Sequence, residues 1–319
     1  MEKLIHFLGE SSPPLDKEEL GGKGAVLSEL KWLKYNVPEG FILPSKLFDL
    51  FLKENGFKES VNRIIKENED DSIESIKTIS VKLIELILSG IISNSIINAV
   101  DKAYCNLNNS LVSVRSSAAI EDGQEVSFAG QFKTYLNVNK ENLYVKIKEC
   151  WSSFFTLRSL SYRREQNIDL SNVNFAVICQ KMINSDTSGV CFTTHPIYQN
   201  DNLLTIDVVS GLGESLVSGI VTPDNYIIDK KSIQIKNRTI VKQPIFLVLD
   251  REKKWDNKWK VLPQKDANKA KISDNIVIEI AKICKDIECI SGYPCDIEWS
   301  VYSNTIYILQ CRPITVNNQ

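Results

Sequence analysis

The chain has only two histidines, His6 and His195, and none of its eight cysteines form a CxxC pair. Zinc and dithiol chemistry therefore lack their usual signature. No charge of either sign dominates: 38 Lys+Arg against 40 Asp+Glu leave a formal net charge of −2. That balance offers no electrostatic footprint for nucleic acid or an anionic membrane, so an anion bound here must be held by local groups. Apolar runs are too short to cross a bilayer, and no signal peptide is recognisable. Most cysteines lie inside apolar runs such as Val177-Ile-Cys179 and Val190-Cys-Phe192, and read as buried free thiols of a cytoplasmic protein.

What is present is enough apolar material for a sizeable core. With 319 residues, 43% of them hydrophobic, the length suits two domains of roughly 100–200 residues each. No internal repeat is found. The expected division is residues 1–185 and 186–319, with a mostly helical segment over 46–105 broken by a polar loop near Asn68-Glu-Asp-Asp-Ser72. A helix is expected after the glycine-rich Leu20-Gly-Gly-Lys23-Gly, with Ala25, Leu27, Leu30 and Leu33 on one face. Short extended runs follow at Leu111–Arg115 and Phe132–Val138, then one long helix over about 140–166 with Leu143, Val145, Ile147, Trp151, Phe154, Phe155 and Leu157 turned inward. Phe175–Met182 reads as a buried strand, Ser185–Gly189 as a turn and hinge, and Val190–Thr194 as the next strand. Strands at 203–209 and 225–229, a polar stretch, a helix over about 274–291 and a terminal hairpin complete the mixed pattern.

The hairpin carries a geometric expectation. Strand alternation places Asp296, Glu298 and Ser300 on one face, and Ile297, Trp299 and Val301 on the other. If Glu298 lies opposite Gln310, Asp296 lies opposite Arg312 and the polar tips converge. A carboxylate beside an amide oxygen suits Mg²⁺, which takes few protein oxygens and fills its octahedron with water and phosphate. Arg312 can reach the same phosphates. For a single such hairpin an ordinary exposed face with an Asp–Arg cross-strand pair is the better explanation, so the other segments must decide.

Arg115 ends a β-branched run and is followed by Ser116, Ser117 and Ala118, small residues that let a phosphate approach the backbone. Its planar fork of donors matches phosphate oxygens. Ser127-Phe-Ala-Gly130-Gln131 is a loop able to act as a flap, or simply a turn. Lys23 precedes a helix, where backbone amides favour anions. Gly24 follows it where a Walker A motif needs Ser or Thr, and Gly211-Leu-Gly213-Glu214 lacks the third glycine of a dinucleotide fingerprint.

Taken in order, Gly22-Lys-Gly-Ala, Val37-Pro-Glu-Gly-Phe, Val114-Arg-Ser-Ser-Ala, Ser127-Phe-Ala-Gly-Gln, Gln180-Lys-Met, Ser188-Gly-Val-Cys-Phe-Thr, Gly211-Leu-Gly-Glu, Thr222-Pro-Asp and Gln310-Cys-Arg-Pro span nearly the whole chain. The series resembles the N-terminal ATP-binding domain of phosphoenolpyruvate synthase, pyruvate phosphate dikinase and rifampin phosphotransferase. The resemblance implies an α+β, ATP-grasp-like fold whose two subdomains clamp ATP. It places adenine near Gln180, Lys181 and Met182, phosphates toward Lys23, Arg115, Gly130, Gln131 and Arg312, and Mg²⁺ at Glu298 and Gln310. Arg115 and Arg312 are its expected catalytic groups, acting by positioning and charge neutralisation.

Relatives of this kind pass phosphate to a histidine on a separate swivelling domain. Neither His6 nor His195 lies in a glycine- and threonine-rich carrier-like sequence. The implied partner is therefore a phosphohistidine carrier domain or protein, with neither nucleic acid nor membrane. A non-catalytic ATP-binding regulatory module and a fragment of a longer enzyme are the competing expectations.

Overall fold

A computed structural model describes residues 4–68, 70, 72–119, 133–171, 174–195, 201–250 and 256–314. Two compact units emerge, one comprising residues 1–32 and 39–182, the other 33–38 and 183–319. Both mix helices with antiparallel sheet.

In the first unit, β1 (His6–Phe7), β2 (Gly40–Leu43), β5 (Phe175–Lys181), β3 (Val112–Ala118) and β4 (Thr134–Val138) form a five-stranded sheet in that order. Its helices include α1 (Lys17–Leu20), α2 (Gly22–Trp32), α3 (Ser45–Glu54), α4 (Phe57–Lys66), α5 (Ile73–Ser89) and α6 (Asn94–Asn106). The apolar positions explain which side is covered. Phe41, Leu43, Val112, Val114, Val177 and Cys179 all belong to the main apolar cluster, together with Phe48, Phe51, Ile79, Leu83 and Trp151. Phe48 and Phe51 are spaced to share one face of α3 and meet the Trp151 ring at 5.1 and 4.9 Å between centroids. Each such ring removed from water contributes about 1.5–3 kcal/mol. Alternation then turns Ser113, Arg115, Ser117, Ile178 and Gln180 to the opposite face.

The expected long helix over 140–166 is two: α7 (Leu143–Ser153) and α8 (Leu157–Glu165). Thr156 is the reason, since its hydroxyl accepts from the Ser159 N–H and caps a new helix after the break. Val145 and Leu157, expected inside, are 49% and 37% exposed, and Leu33, beyond the end of α2, is 41% exposed. Arg163 is fully buried, donating to the carbonyls of Asp169 and Leu170 and lying over Phe154.

The second unit is built on a six-stranded sheet in the order β13 (Thr305–Pro313), β12 (Cys295–Tyr302), β6 (Thr187–Phe192), β7 (Leu203–Ser210), β8 (Asp224–Asp229) and β9 (Gln234–Thr239). β6 begins inside the segment expected to be a turn. The short α9 (Glu214–Val217) follows β7, and the stretch expected to be merely polar holds β9, a two-stranded sheet of β10 (Ile245–Asp250) and β11 (Asp256–Val261), and the short α10 (Gln264–Ala267). β9 is hard to see because it presents mostly charged and amide side chains, and β11 because its two apolar residues, Trp259 and Val261, stand exposed among lysines.

Helix α11 (Asp274–Ser291) packs on β12, β7 and β9 through a buried stripe of Val277, Ile280, Ala281, Cys284 and Ile287. Ile297 and Trp299 of β12, Cys191 of β6, Ile206 and Val208 of β7 and Tyr226 of β8 share one side of the sheet and are all buried. Trp299 lies so close to β6 that a Cβ on Gly189 would sit 2.5 Å from its ring and 1.9 Å from the Asp207 carbonyl oxygen. Only glycine fits between those strands. All eight cysteines are free thiols, six buried, with Cys105 and Cys289 exposed.

Among the described residues no single helix is long and apolar enough to cross a membrane, although α5 and α6, bent by 78°, pass together on length and composition.

Candidate nucleotide and metal site

In the first unit, Arg115 and Gln180 come together on the sheet face opposite the apolar cluster. Ser113 pairs with Gln180 and Arg115 with Ile178 in the β3–β5 ladder, which puts Arg115 and Gln180 on one diagonal. The Arg115 Nη1 donates to the Gln180 Oε1 at 3.5 Å, and both residues are buried. The Gln180 Nε2 has no hydrogen-bond partner among the described residues. A buried amide N–H without a partner costs free energy unless a ligand or water accepts from it, so this donor is available to a ligand.

Lys23 is the second residue of α2 and half-buried. Ser117 lies two positions along β3 from Arg115 and accepts from the Gly24 N–H at 2.9 Å. The strand and the first turn of the helix are thus tied beside the lysine. Lys181 and Met182 lie at the end of β5. The Lys181 ammonium pairs with Glu39 at 3.4 Å, its N–H donates to the Glu39 carbonyl, and the Met182 N–H donates to the Leu111 carbonyl. Gly130 and Gln131 lie outside the described residues.

In the second unit, the hairpin register is Glu298 opposite Gln310 and Asp296 opposite Arg312, the register that makes the polar tips converge. Between Glu298 and Trp299 it shifts by one, so Trp299 faces Ile308. That shift resolves a conflict in β13. Strict alternation would put Ile306 and Ile308 on the same face as Gln310 and Arg312, whereas the bulge returns both isoleucines to the apolar side, where they are buried.

Arg312 Nε donates to the Asp296 Oδ2 at 2.8 Å, and Nη2 approaches the same oxygen at 2.7 Å. Burial pushes the Asp296 carboxyl above its usual range, with Arg312 opposing and Glu298 adding to the rise. Gln310 is buried and Glu298 half-buried.

The ladders extend this face across the sheet. Gln310, Glu298, Val190, Asp207 and Asn225 form one continuous row over β13, β12, β6, β7 and β8. Sequence reasoning passed over Asp207, although its alternation with buried Ile206 and Val208 marks it as facing away from α11. Asn225 donates to it at 2.7 Å, and burial raises its pKa against that hydrogen bond.

The donor set suits Mg²⁺. Glu298 and Gln310 offer a carboxylate and an amide oxygen side by side, hard ligands that leave most of an octahedron to water and phosphate. No group of three or more His, Cys, Asp or Glu able to hold a metal ion exists among the described residues. Neither histidine is displayed as a carrier. His195 is 5% exposed, and His6 is held between Ser28 and Glu10, each at 3.0 Å.

Residues 17–319 match the sequence profile of the pyruvate phosphate dikinase AMP/ATP-binding domain. The chain belongs to that family. It is 36% identical over 98% of its length to a probable phosphoenolpyruvate synthase of Methanocaldococcus jannaschii, covering 27% of that protein. It is 36% identical to the rifampicin phosphotransferase of Bacillus cereus, over 93% of this chain and 34% of that one. With the phosphoenolpyruvate synthase of Pyrococcus furiosus the identity is 33%, over 98% of this chain and 43% of the relative. The chain thus spans less than half the length of these relatives. A D-alanine–D-alanine ligase from Helicobacter pylori aligns at a TM-score of 0.29 and 10% identity, over 67% of this chain and 46% of that one, a likeness too slight to carry an argument.

Proposed function

We propose that this chain is the ATP- and Mg²⁺-binding component of a phosphotransferase of ATP-grasp-like fold, and that it donates a phosphoryl group from ATP to a histidine on a carrier domain or partner protein. The observation that carries the proposal is the hairpin register. It sets Glu298 beside Gln310 and Asp296 beside Arg312 on the sheet face turned away from α11, in a chain whose family is an AMP/ATP-binding domain.

Each residue has a separable role. Arg115, held by Gln180, offers a planar fork of donors to phosphate oxygens. Lys23 adds a point charge at the start of α2. Gln180, Lys181 and Met182 at the end of β5 hold the base, and Gly130 and Gln131 belong to the proposed phosphate contacts. Glu298 and Gln310 would hold Mg²⁺, which supplies charge neutralisation at the phosphates when bound. Arg312, kept in plane by Asp296, stabilises the charge that grows on the transferred group. Loose phosphoryl-transfer transition states need positioning and electrostatics rather than covalent help from the protein, and these side chains supply both.

The acceptor is expected elsewhere, because His195 is buried and His6 is occupied by Ser28 and Glu10. The test is to mix the chain with radiolabelled ATP, Mg²⁺ and the histidine domain of a phosphoenolpyruvate synthase. Acid-labile label on that domain is expected. ATP binding with no transfer would leave a non-catalytic regulatory module of the same fold.

A further inference from the structure

Ser117 makes two hydrogen bonds that bridge a helix break. Its hydroxyl donates to the carbonyl of Leu20, the last residue of α1, at 3.0 Å, and accepts from the N–H of Gly24, the third residue of α2, at 2.9 Å. The partners lie 97 and 93 positions away in sequence, and Ser117 is fully buried.

Helix ends leave carbonyls and N–H groups without partners inside the helix. An N-cap side chain normally serves the N–H of the second or third residue. Here the N-cap position is Gly21, whose carbonyl accepts from the Ala25 N–H at 3.0 Å and which has no side chain to offer. Gly21 also has no room for one: at φ +72°, a Cβ would lie 2.1 Å from both the carbonyl oxygen and the hydroxyl of Ser117. The missing capping oxygen is supplied by β3 instead. Gly21 is thereby explained by its close approach to Ser117, without a phosphate.

We propose that Ser117 is a positioning residue for the phosphate-binding groups: its hydroxyl caps α2 from the neighbouring strand and so sets Lys23 relative to Arg115, two residues along β3. This rests on the nucleotide reading above. It extends that reading by giving the serine a role through the α1–α2 junction rather than through contact with the nucleotide.

The test measures ATP binding with Mg²⁺ to the full chain by calorimetry, together with amide hydrogen exchange at Gly24. Losing a capping bond of ordinary strength corresponds to a change of roughly three- to tenfold. Ser117→Ala is expected to weaken ATP binding by about that factor and to speed exchange at Gly24, with exchange in α11 unchanged. In a Lys23→Ala background the same substitution should weaken ATP by less than about twofold, because the group it positions is gone. Equal weakening in both backgrounds, or undiminished ATP affinity beside faster Gly24 exchange, would overturn the proposal. Should Ser117→Ala not fold, Ser117→Cys keeps the volume with a poorer hydrogen-bonding atom. It must then show intermediate binding and exchange, and wild-type values in both would equally overturn it. A wild-type chain that fails to bind ATP sinks the nucleotide reading, whereas Gly24 exchange reports on the cap alone.

Discussion

Arg312 reaches Asp296 across the terminal hairpin through two nitrogens, Nε at 2.8 Å and Nη2 at 2.7 Å from one carboxylate oxygen. Two contacts to one oxygen fix the plane of the guanidinium, and a lysine ammonium cannot reproduce them. Arg312→Lys is therefore expected to lower the rate of phosphoryl transfer by about 10²-fold while changing ATP affinity much less. Single-turnover transfer and equilibrium binding, measured on the same variant, separate the two effects. A loss of ATP affinity with the single-turnover rate at saturating ATP unchanged would mean that Arg312 serves binding alone.

Arg115 is the counterpart in the first unit, anchored to Gln180 at 3.5 Å. Arg115→Lys should weaken ATP by roughly tenfold, since the bidentate fork is lost although the charge remains. Gln180→Leu should have a smaller effect of the same sign, because it removes both the anchor of Arg115 and the Nε2 donor. Calorimetry of the two variants and their double mutant checks the coupling.

Removal of metal gives a third expectation. Chelation of Mg²⁺ should reduce ATP affinity in the wild type, and Glu298→Gln should abolish most of that dependence while leaving the metal-free affinity nearly unchanged. A Mg²⁺ response as large in Glu298→Gln as in the wild type would move the metal away from the hairpin.

The Thr222-Pro-Asp224 motif carries a stability prediction. Asp224 is fully buried, accepts from the N–H groups of Val241 and Lys271 at 2.9 and 3.0 Å, and lies 3.6 Å from the ammonium of Lys271, which is itself buried. The Lys271 ammonium also donates to the carbonyls of Val241, Ala267 and Lys269. Asp224→Ala therefore removes its counter-charge and the acceptors of two N–H groups but not all its partners, and should cost about 3 kcal/mol, read from denaturant unfolding of the full chain. A cost below about 1 kcal/mol would contradict the pairing.

Asp207 gives a pH-dependent expectation. Burial raises its folded pKa above the unfolded value, so the folded state holds the proton more tightly and stability falls as pH rises through that window. Asp207→Asn should raise Tm by about 2 °C at pH 7. The gain should shrink toward pH 4, where wild-type Asp207 is itself increasingly protonated. A gain independent of pH would point to packing instead of charge.

Much of this site was legible because it depends on short periods. Strand alternation and one assumed pairing were sufficient to bring Glu298, Gln310, Asp296 and Arg312 together, and the ladder has that pairing. What stayed hidden involved partners distant in sequence. The clasp of Ser117 on Gly24 spans 93 positions, and the row that adds Asp207 to Glu298 requires the pairing of β6 with both neighbours. The break between α7 and α8 was missed for a local reason, since the aromatic run Trp151 to Phe155 keeps helical spacing while Thr156 ends it with a cap. Strand β9 is hidden by its exposed lysine, asparagine and arginine, whereas β10 is an apolar run, Ile245 to Leu249, inside a stretch whose surroundings are polar.

The central claim is that Arg115 and Glu298 each serve the binding of ATP·Mg²⁺ by this chain. Calorimetric titration of ATP·Mg²⁺ into the wild type, Arg115→Ala, Glu298→Ala and the double variant tests it most directly. Each single change should weaken binding by at least about tenfold, the size of one lost charged hydrogen bond. Unchanged affinity in both single variants would contradict the account.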